Sequence, residues 1–241
     1  MSTIRILHVD DEPDIREIVD MSLGLNADFE VRSCASGAEA IATAAEWAPF
    51  LILLDVTMPG MDGPTTLSQL RKDARTAGIP VLFMTARAQA REVEQLIALG
   101  AHGVISKPFD PMTLAFQVRG HVQSIRLEAL RTVFVRRAKN DAELLAAFRL
   151  SLGQEASPAS VGRIREIAHR LAGAAGLFGY NQISTDAAAL EEALVAELDG
   201  RATVDDPEDL TSAINRLLSR MEGDWDEPPI GRAQSAHASQ V

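Results

Sequence analysis

Five residues in the N-terminal half carry side chains suited to one piece of chemistry: Asp10, Asp11, Asp55, Thr85 and Lys107. Each stands at the carboxyl end of a short apolar run. Two like unit charges 4 Å apart repel by about 4 kcal/mol at an effective dielectric near 20, so three gathered carboxylates need a counter-charge. A hard divalent cation held by a few carboxylates and several waters describes Mg²⁺. Lys107 adds a further positive charge and Thr85 a hydroxyl donor. Those parts suit a phosphoryl group carried on one carboxylate, its oxygens neutralised by cation and lysine and bonded by the hydroxyl. An acidic pair after a first strand is also common as a helix cap, and a lone Lys-Pro says little. Five matching residue types at successive strand ends outweigh that reading. A dinucleotide site would need a glycine-rich turn after the first strand. VDDEPD (9–14) stands there instead and would repel a pyrophosphate that came without a metal.

In the C-terminal half one histidine, His169, stands within a helical pattern, REIAHRLAGAAGLFGY (165–180). At about 100° per residue, Ile164, Ile167, Ala168, Leu171 and Ala175 share a face, and His169 points roughly 150° from its centre. Gly162, Gly173 and Gly176 cluster within a few tens of degrees of the histidine. A glycine in a helix interior costs about 1 kcal/mol relative to alanine, so this face is bare at a cost. A lone exposed histidine is usually incidental. The glycines change that, because an imidazole accepts a phosphoryl group only from a donor that can approach in line. Bulky neighbours at i+4 or i+7 would obstruct it. His8, His102, His121 and His237 show no metal-ligand spacing, and neither Cys-X-X-Cys nor His-Glu-X-X-His occurs.

Positioning these residues requires two different architectures. Residues 4–9, 29–34, 51–56, 80–85 and 103–106 read as strands. Helical patterns lie between them: Ile15, Ile18, Val19 and Leu23 after Pro13; Glu39–Trp47 with Ser36 as N-cap; and Val93, Leu96 and Ile97, ended by Gly100. Strands alternating with helices imply a parallel sheet covered on both faces. With strand order 2-1-3-4-5, the five polar residues meet on one rim, beside the switch point where ligands bind. After about residue 122 only helical stripes remain: Leu144, Leu145 and Phe148; Ile183, Ala187, Leu190, Leu194 and Leu198; and Leu210, Ile214, Leu217 and Met221. With the 158–176 segment they make an antiparallel helical bundle. The expected division is a domain over 1–121, a connecting helical segment over 122–140 open to joining the bundle, the bundle over 141–223, and a polar, proline-bearing tail over 224–241 expected to be disordered.

The net charge of −11 disfavours nucleic acid, whose binding rests on neutralising phosphates. Arg126, Arg131, Arg136, Arg137 and Lys139 form the one basic stretch. A solvated helix face explains them better than a nucleic-acid arm. The single cysteine, Cys34, cannot close an internal disulfide. No apolar run reaches membrane-spanning length, and MSTIRILHVDDE lacks the features of a signal peptide, so a cytoplasmic protein is expected.

HVDDEPD, LLDVTMPGMDG, MTA and SKPF resemble the signature of two-component response regulator receiver domains, over roughly residues 3 to 121. The resemblance implies a flavodoxin-like α/β fold with Asp55 as phosphoacceptor. Mg²⁺ would be held by Asp11, Asp55, the Thr57 carbonyl and, through water, Asp10. Thr85 and Lys107 would engage the phosphoryl oxygens, with Lys107–Pro108 a cis peptide. Where the family usually has an aromatic residue three positions before the lysine, this chain has Val104. AHRLAGAAGLFGY, followed by LEEAL, resembles the histidine phosphotransfer (HPt) domain, over roughly 126 to 223. By that resemblance His169 is phosphorylated, and Gly173 and Gly176 give a docking partner clearance. A lysine is common three residues after that histidine. Here it is Ala172, and Arg170 and Arg165 are the cations near enough in sequence to substitute. Together these imply a phosphorelay protein whose partners are a sensor histidine kinase and another receiver. It carries no ATP-dependent kinase segment and no recognisable DNA-reading module. The competing reading is a receiver controlling a helical interaction module whose histidine is inactive.

Overall fold

The computed structural model describes residues 3–152, 158–198, 207–223 and 225. Its two compact units divide between Leu127 and Glu128.

The first unit alternates strands with helices: β1 (Ile4–Val9), α1 (Pro13–Gly24), β2 (Phe29–Cys34), α2 (Gly37–Trp47), β3 (Leu51–Asp55), α3 (Gly63–Leu70), β4 (Val81–Thr85), α4 (Ala90–Ala98), β5 (Gly103–Ser106) and the start of α5 (Pro111–Ser151). The strands form one parallel sheet in the order β2-β1-β3-β4-β5. Period-two alternation sends Leu7, Val9, Ile52, Leu54 and Phe83 to one apolar layer and Ile6, Leu51, Leu53, Leu82 and Met84 to the other. Both layers are covered, which is why these strands read as continuous apolar runs. Ser36 caps α2 as expected, accepting a hydrogen bond from the Glu39 amide, while Glu39 accepts one from the Ala35 amide. Gly100 follows α4 at φ +96°.

α3 has only eight residues and no long stripe, and the periodicity missed it. Its signal is local: the Asp62 carboxylate caps it by accepting from the Thr65 amide, and Pro64 sits in its first turn.

α5 is continuous over 41 residues, so the stripe at Leu145 and Phe148 belongs to the helix that begins at Pro111. The 122–140 segment is shared. Val122 and Ile125 pack in the sheet's core, whereas Phe134, Val135 and Ala138 pack in the helical core. Leu144 is 38% exposed and stands outside that core.

The second unit comprises the rest of α5 with α6 (Pro158–Ala175), a 3-10 turn (Gly176–Phe178), α7 (Asn181–Leu198) and α8 (Pro207–Gly223). Contacts from Gly176 and Ala172 to Ser184, and from His169 to Glu191, run in opposite directions along α6 and α7, so the two helices are antiparallel. Ile164, Ile167, Ala168, Leu171 and Ala175 are all buried, as are Ile183, Ala187, Leu190 and Leu194. Leu210 is half-buried against Ile214, Leu217 and Met221, and the side chain of Leu198 lies outside the described residues. Trp225, beyond the expected bundle boundary at 223, is buried edge-on against Phe134 and Tyr180. The rest of the 224–241 segment lies outside the described residues. No helix among the described residues is long and apolar enough to cross a membrane.

Candidate functional site

In the first unit the strand ends bring Asp10, Asp55 and Lys107 into direct contact. Asp10 follows β1 and is fully buried, Asp55 ends β3 and is buried, and Lys107 follows β5. The Lys107 ammonium donates to Asp10 Oδ2 at 2.6 Å and to Asp55 Oδ1 at 2.5 Å. Each carboxylate is held a second time by backbone. The Glu12 amide donates to Asp10 Oδ1 at 3.0 Å, and the Thr57 amide to Asp55 Oδ2 at 2.8 Å. The carboxylates are therefore oriented as well as gathered. Asp11 stands half-buried beside them in the β1–α1 turn.

Close packing fixes the end of β3. Gly63 opens α3 directly against it, where a Cβ would lie 2.4 Å from the Asp55 carbonyl oxygen. Only glycine permits that approach, and nothing in the helical periodicity pointed to it. Thr85 ends β4, with its hydroxyl accepting from the Arg87 amide at 3.0 Å. Lys107–Pro108 is cis, as the receiver resemblance implied.

Burial raises the Asp55 pKa above the ordinary carboxylate value, and the Lys107 hydrogen bond offsets only part of that. For Lys107, burial works to lower the pKa. Its bonds to Asp10 and Asp55 prevail and hold it above the ordinary lysine value. The ammonium is thus held in its charged form, a single positive charge beside three carboxyl groups. Beyond the strand ends lies a cavity of about 530 Å³, lined by Val56, Thr57, Pro64, Thr85, Arg87 and Glu92 among others.

In the second unit His169 is on α6 with its side chain 78% exposed, against a buried opposite face. Its Nδ1 lies 3.0 and 3.2 Å from the two oxygens of Glu191 on α7. An ionised carboxylate only accepts, so Nδ1 carries the proton and the neutral ring keeps Nε2 as its bare nitrogen. Sequence reasoning gave Glu191 no role. The residue lies 22 positions away, and its place beside His169 follows only from the antiparallel pairing of α6 with α7.

A Cβ at Gly162 or Gly173 would meet nothing within 4 Å, whereas one at Gly176 would touch Ser184 Oγ at 3.5 Å. Open space adjoins Gly162 and Gly173. Gly176 lies against α7, unlike the open face expected from its angle. Arg170, one of two cations considered as substitutes for a lysine at position 172, is committed elsewhere: it donates to both oxygens of buried Asp141 on α5, at 2.9 and 3.0 Å. Arg165 is exposed, about one turn before the histidine on its side of the helix. Within the basic stretch, Arg131 donates to Tyr180 Oη at 3.0 Å and pairs with Glu128.

Comparison with known proteins agrees with both halves. Residues 6–119 match the response regulator receiver domain and residues 129–223 match the Hpt domain. The chain carries a response regulator receiver domain followed by an Hpt domain. The DNA-binding dual master transcriptional regulator RpaA of Synechocystis sp. is 39% identical over 115 residues, covering 48% of this chain and 47% of the relative. Response regulator Rre1 of Synechocystis sp. is 40% identical over 116 residues, covering 48% and 50%. The chain spans about half the length of the curated relatives it matches. Among solved structures, chemotaxis response regulator CheY4 of Vibrio cholerae is 32% identical with a TM-score of 0.47, covering 50% of this chain and 99% of that one.

Receiver domains of this family generally bind Mg²⁺ for phosphorylation. Among the described residues no three His, Cys, Asp or Glu side chains already close into a metal cage. The donor set nonetheless fits this ion. It is all oxygen, with carboxylates preoriented by backbone amides, and Mg²⁺ keeps several waters while using one or two carboxylates.

Proposed function

We propose that Asp55 and His169 are the two phosphoryl-carrying residues of a phosphorelay, Asp55 receiving from a histidine on a partner and His169 exchanging with an aspartate on another receiver. A sensor histidine kinase and a second receiver domain are the partners this chemistry calls for. When phosphohistidine donates, its P–N bond breaks as a P–O bond to Asp55 forms, and the imidazole leaves with the bonding pair as a neutral ring whose other nitrogen keeps its proton. Asp55 Oδ2 is aligned by the Thr57 amide. Lys107 sits where developing charge on the phosphoryl oxygens needs an ammonium, and Thr85 brings a hydroxyl from the next strand end. Asp10, Asp11, Asp55 and the Thr57 carbonyl would hold Mg²⁺, which supplies charge neutralisation at the phosphoryl oxygens.

At the second site, Glu191 keeps the Nδ1 proton in place, so the lone pair that attacks phosphorus is the one on Nε2. As the P–N bond forms, the P–O bond to the donor aspartate breaks and its carboxylate leaves; the ring then has both nitrogens substituted and is positive, a charge that the Glu191 carboxylate stabilises. Gly173 leaves room for the docking domain, a role for which Gly176 is less suited because α7 adjoins it.

The Lys107 bridge between Asp10 and Asp55 is the observation that carries this reading. Acetyl phosphate should label the protein when Mg²⁺ is present and fail to do so in excess chelator. Labelling that survives chelation, or survives in Asp55→Asn, contradicts it.

A further inference from the structure

β1 is apolar apart from Arg5 and one fully buried imidazole, that of His8, whose Nε2 has no hydrogen-bond partner. The parallel register places His8 beside Ser33 on β2. His8 Nδ1 lies 3.4 Å from Ser33 Oγ, and Ser33 Oγ donates to Asp20 Oδ1 on α1 at 2.6 Å. Counting protons along this string fixes the tautomer. A carboxylate cannot donate, so the single hydroxyl proton of Ser33 goes to Asp20. Ser33 Oγ can then only accept from the ring, and Nδ1 carries the imidazole proton. Nε2 is left as a bare lone pair in the interior, 3.9 Å from Asp10 Oδ2. That separation is too long for a hydrogen bond, and with this tautomer both atoms are acceptors.

Two acceptors facing one another in a buried site repel, and a buried polar atom without a partner is costly. The Lys107 ammonium already meets Asp10 Oδ2 from one side, and a divalent ion with its waters would add positive charge at Asp10 and water donors that can meet Nε2. We infer that His8 is a positioning residue for the cation site: held in its Nδ1–H tautomer by Ser33 and Asp20, it turns Nε2 towards Asp10 and favours a divalent ion with its waters there. This rests on the reading that Asp10 and Asp55 hold Mg²⁺. An apolar residue at position 8 would suit the buried strand better, since it would leave no polar atom without a partner.

Mg²⁺ affinity of the full chain, measured by calorimetric titration with the metal alone, tests this without any turnover. Partners one layer out from a metal's ligands typically change its affinity about 10-fold or more when removed. His8→Leu should weaken Mg²⁺ binding about 10-fold while melting at or above wild type, since a buried unpartnered atom is lost. A His8→Leu protein that folds and binds Mg²⁺ as tightly as wild type overturns the inference. Should His8→Leu fail to fold, half-buried Ser33→Ala decides the matter: it releases the tautomer and should weaken Mg²⁺ binding, and unchanged affinity there is equally contrary. Failure of the underlying cation reading looks different, as the wild-type protein itself would then show no saturable Mg²⁺ binding that Asp55→Asn abolishes.

Discussion

The two phosphoryl sites differ in almost every physical respect. Asp55 is buried at a strand end, with one oxygen on an ammonium and the other on a backbone amide. His169 stands out on a helix with its side chain 78% exposed and one carboxylate behind it. The chemistry explains the contrast. An acceptor carboxylate is a weak nucleophile that already bears charge, so adding a phosphoryl group concentrates negative charge that must be neutralised from several directions. That requires convergent residues from several strand ends. A neutral imidazole needs only a fixed tautomer and an open approach, which a single helix with one neighbour provides.

The sharpest break in this comparison is Asp55→Asn, which should abolish labelling by acetyl phosphate and leave His169 able to accept from a phosphorylated partner receiver. Loss of both activities would mean that the sites do not work separately. A large but incomplete effect is expected from Gly173→Gln. The new Cβ meets nothing within 4 Å, and glutamine is about 0.5–1 kcal/mol the better helix former. A melting curve should therefore show equal or higher stability beside strongly reduced transfer to His169. Wild-type transfer would remove the docking role from this glycine.

Glu191→Ala should slow transfer to His169 about tenfold, the low end of the roughly 1.5–3 kcal/mol that a hydrogen bond to a charged group is worth, because His169 is largely exposed. Glu191→Gln, which still offers an oxygen acceptor, should lose less. Equal rates in all three proteins would leave His169 tautomer control without a function.

The smallest effect concerns stability. Burial holds the pKa of His8 at about 4 against an ordinary 6.5. Between these values the unfolded chain binds the proton more tightly, so the first unit's stability rises with pH through that window. The contribution is complete above 6.5 and lost as pH falls towards about 4. Chemical denaturation across pH 4–7 should show the slope, and His8→Leu should flatten it.

The two regions were also unequally legible in the sequence. The receiver's strands and its residues Asp10, Asp55, Thr85 and Lys107 could be read because the strands are short and largely apolar, β3 and β4 buried throughout, and a polar residue falls at each of these strand ends. Gly63 closes the LLDVTMPGMDG motif, but the reason for a glycine there was not legible, since the need for a missing Cβ comes from α3 pressing on β3. His8 passed for an ordinary strand residue until its neighbours across β2 and α1 were placed. In the helical half the stripes gave the buried faces of α6 and α7 but not their mutual register. Glu191 and Asp141 therefore stayed invisible as partners of His169 and Arg170. The boundary inside α5 was blurred for a related reason: its core-facing residues turn to the sheet up to Ile125 and to the bundle from Phe134.

The most direct test of a chain with two phosphoryl carriers is the stability of the trapped label in acid and base. Phosphohistidine is lost in acid and phosphoaspartate in base. The full chain should be labelled from acetyl phosphate with Mg²⁺ in one sample and from a phosphorylated partner receiver in another. The first label should be base-labile and missing from Asp55→Asn. The second should include an acid-labile portion missing from His169→Gln. A protein that carries only base-labile label under both conditions would contradict phosphotransfer through His169 and leave the helical half a binding module.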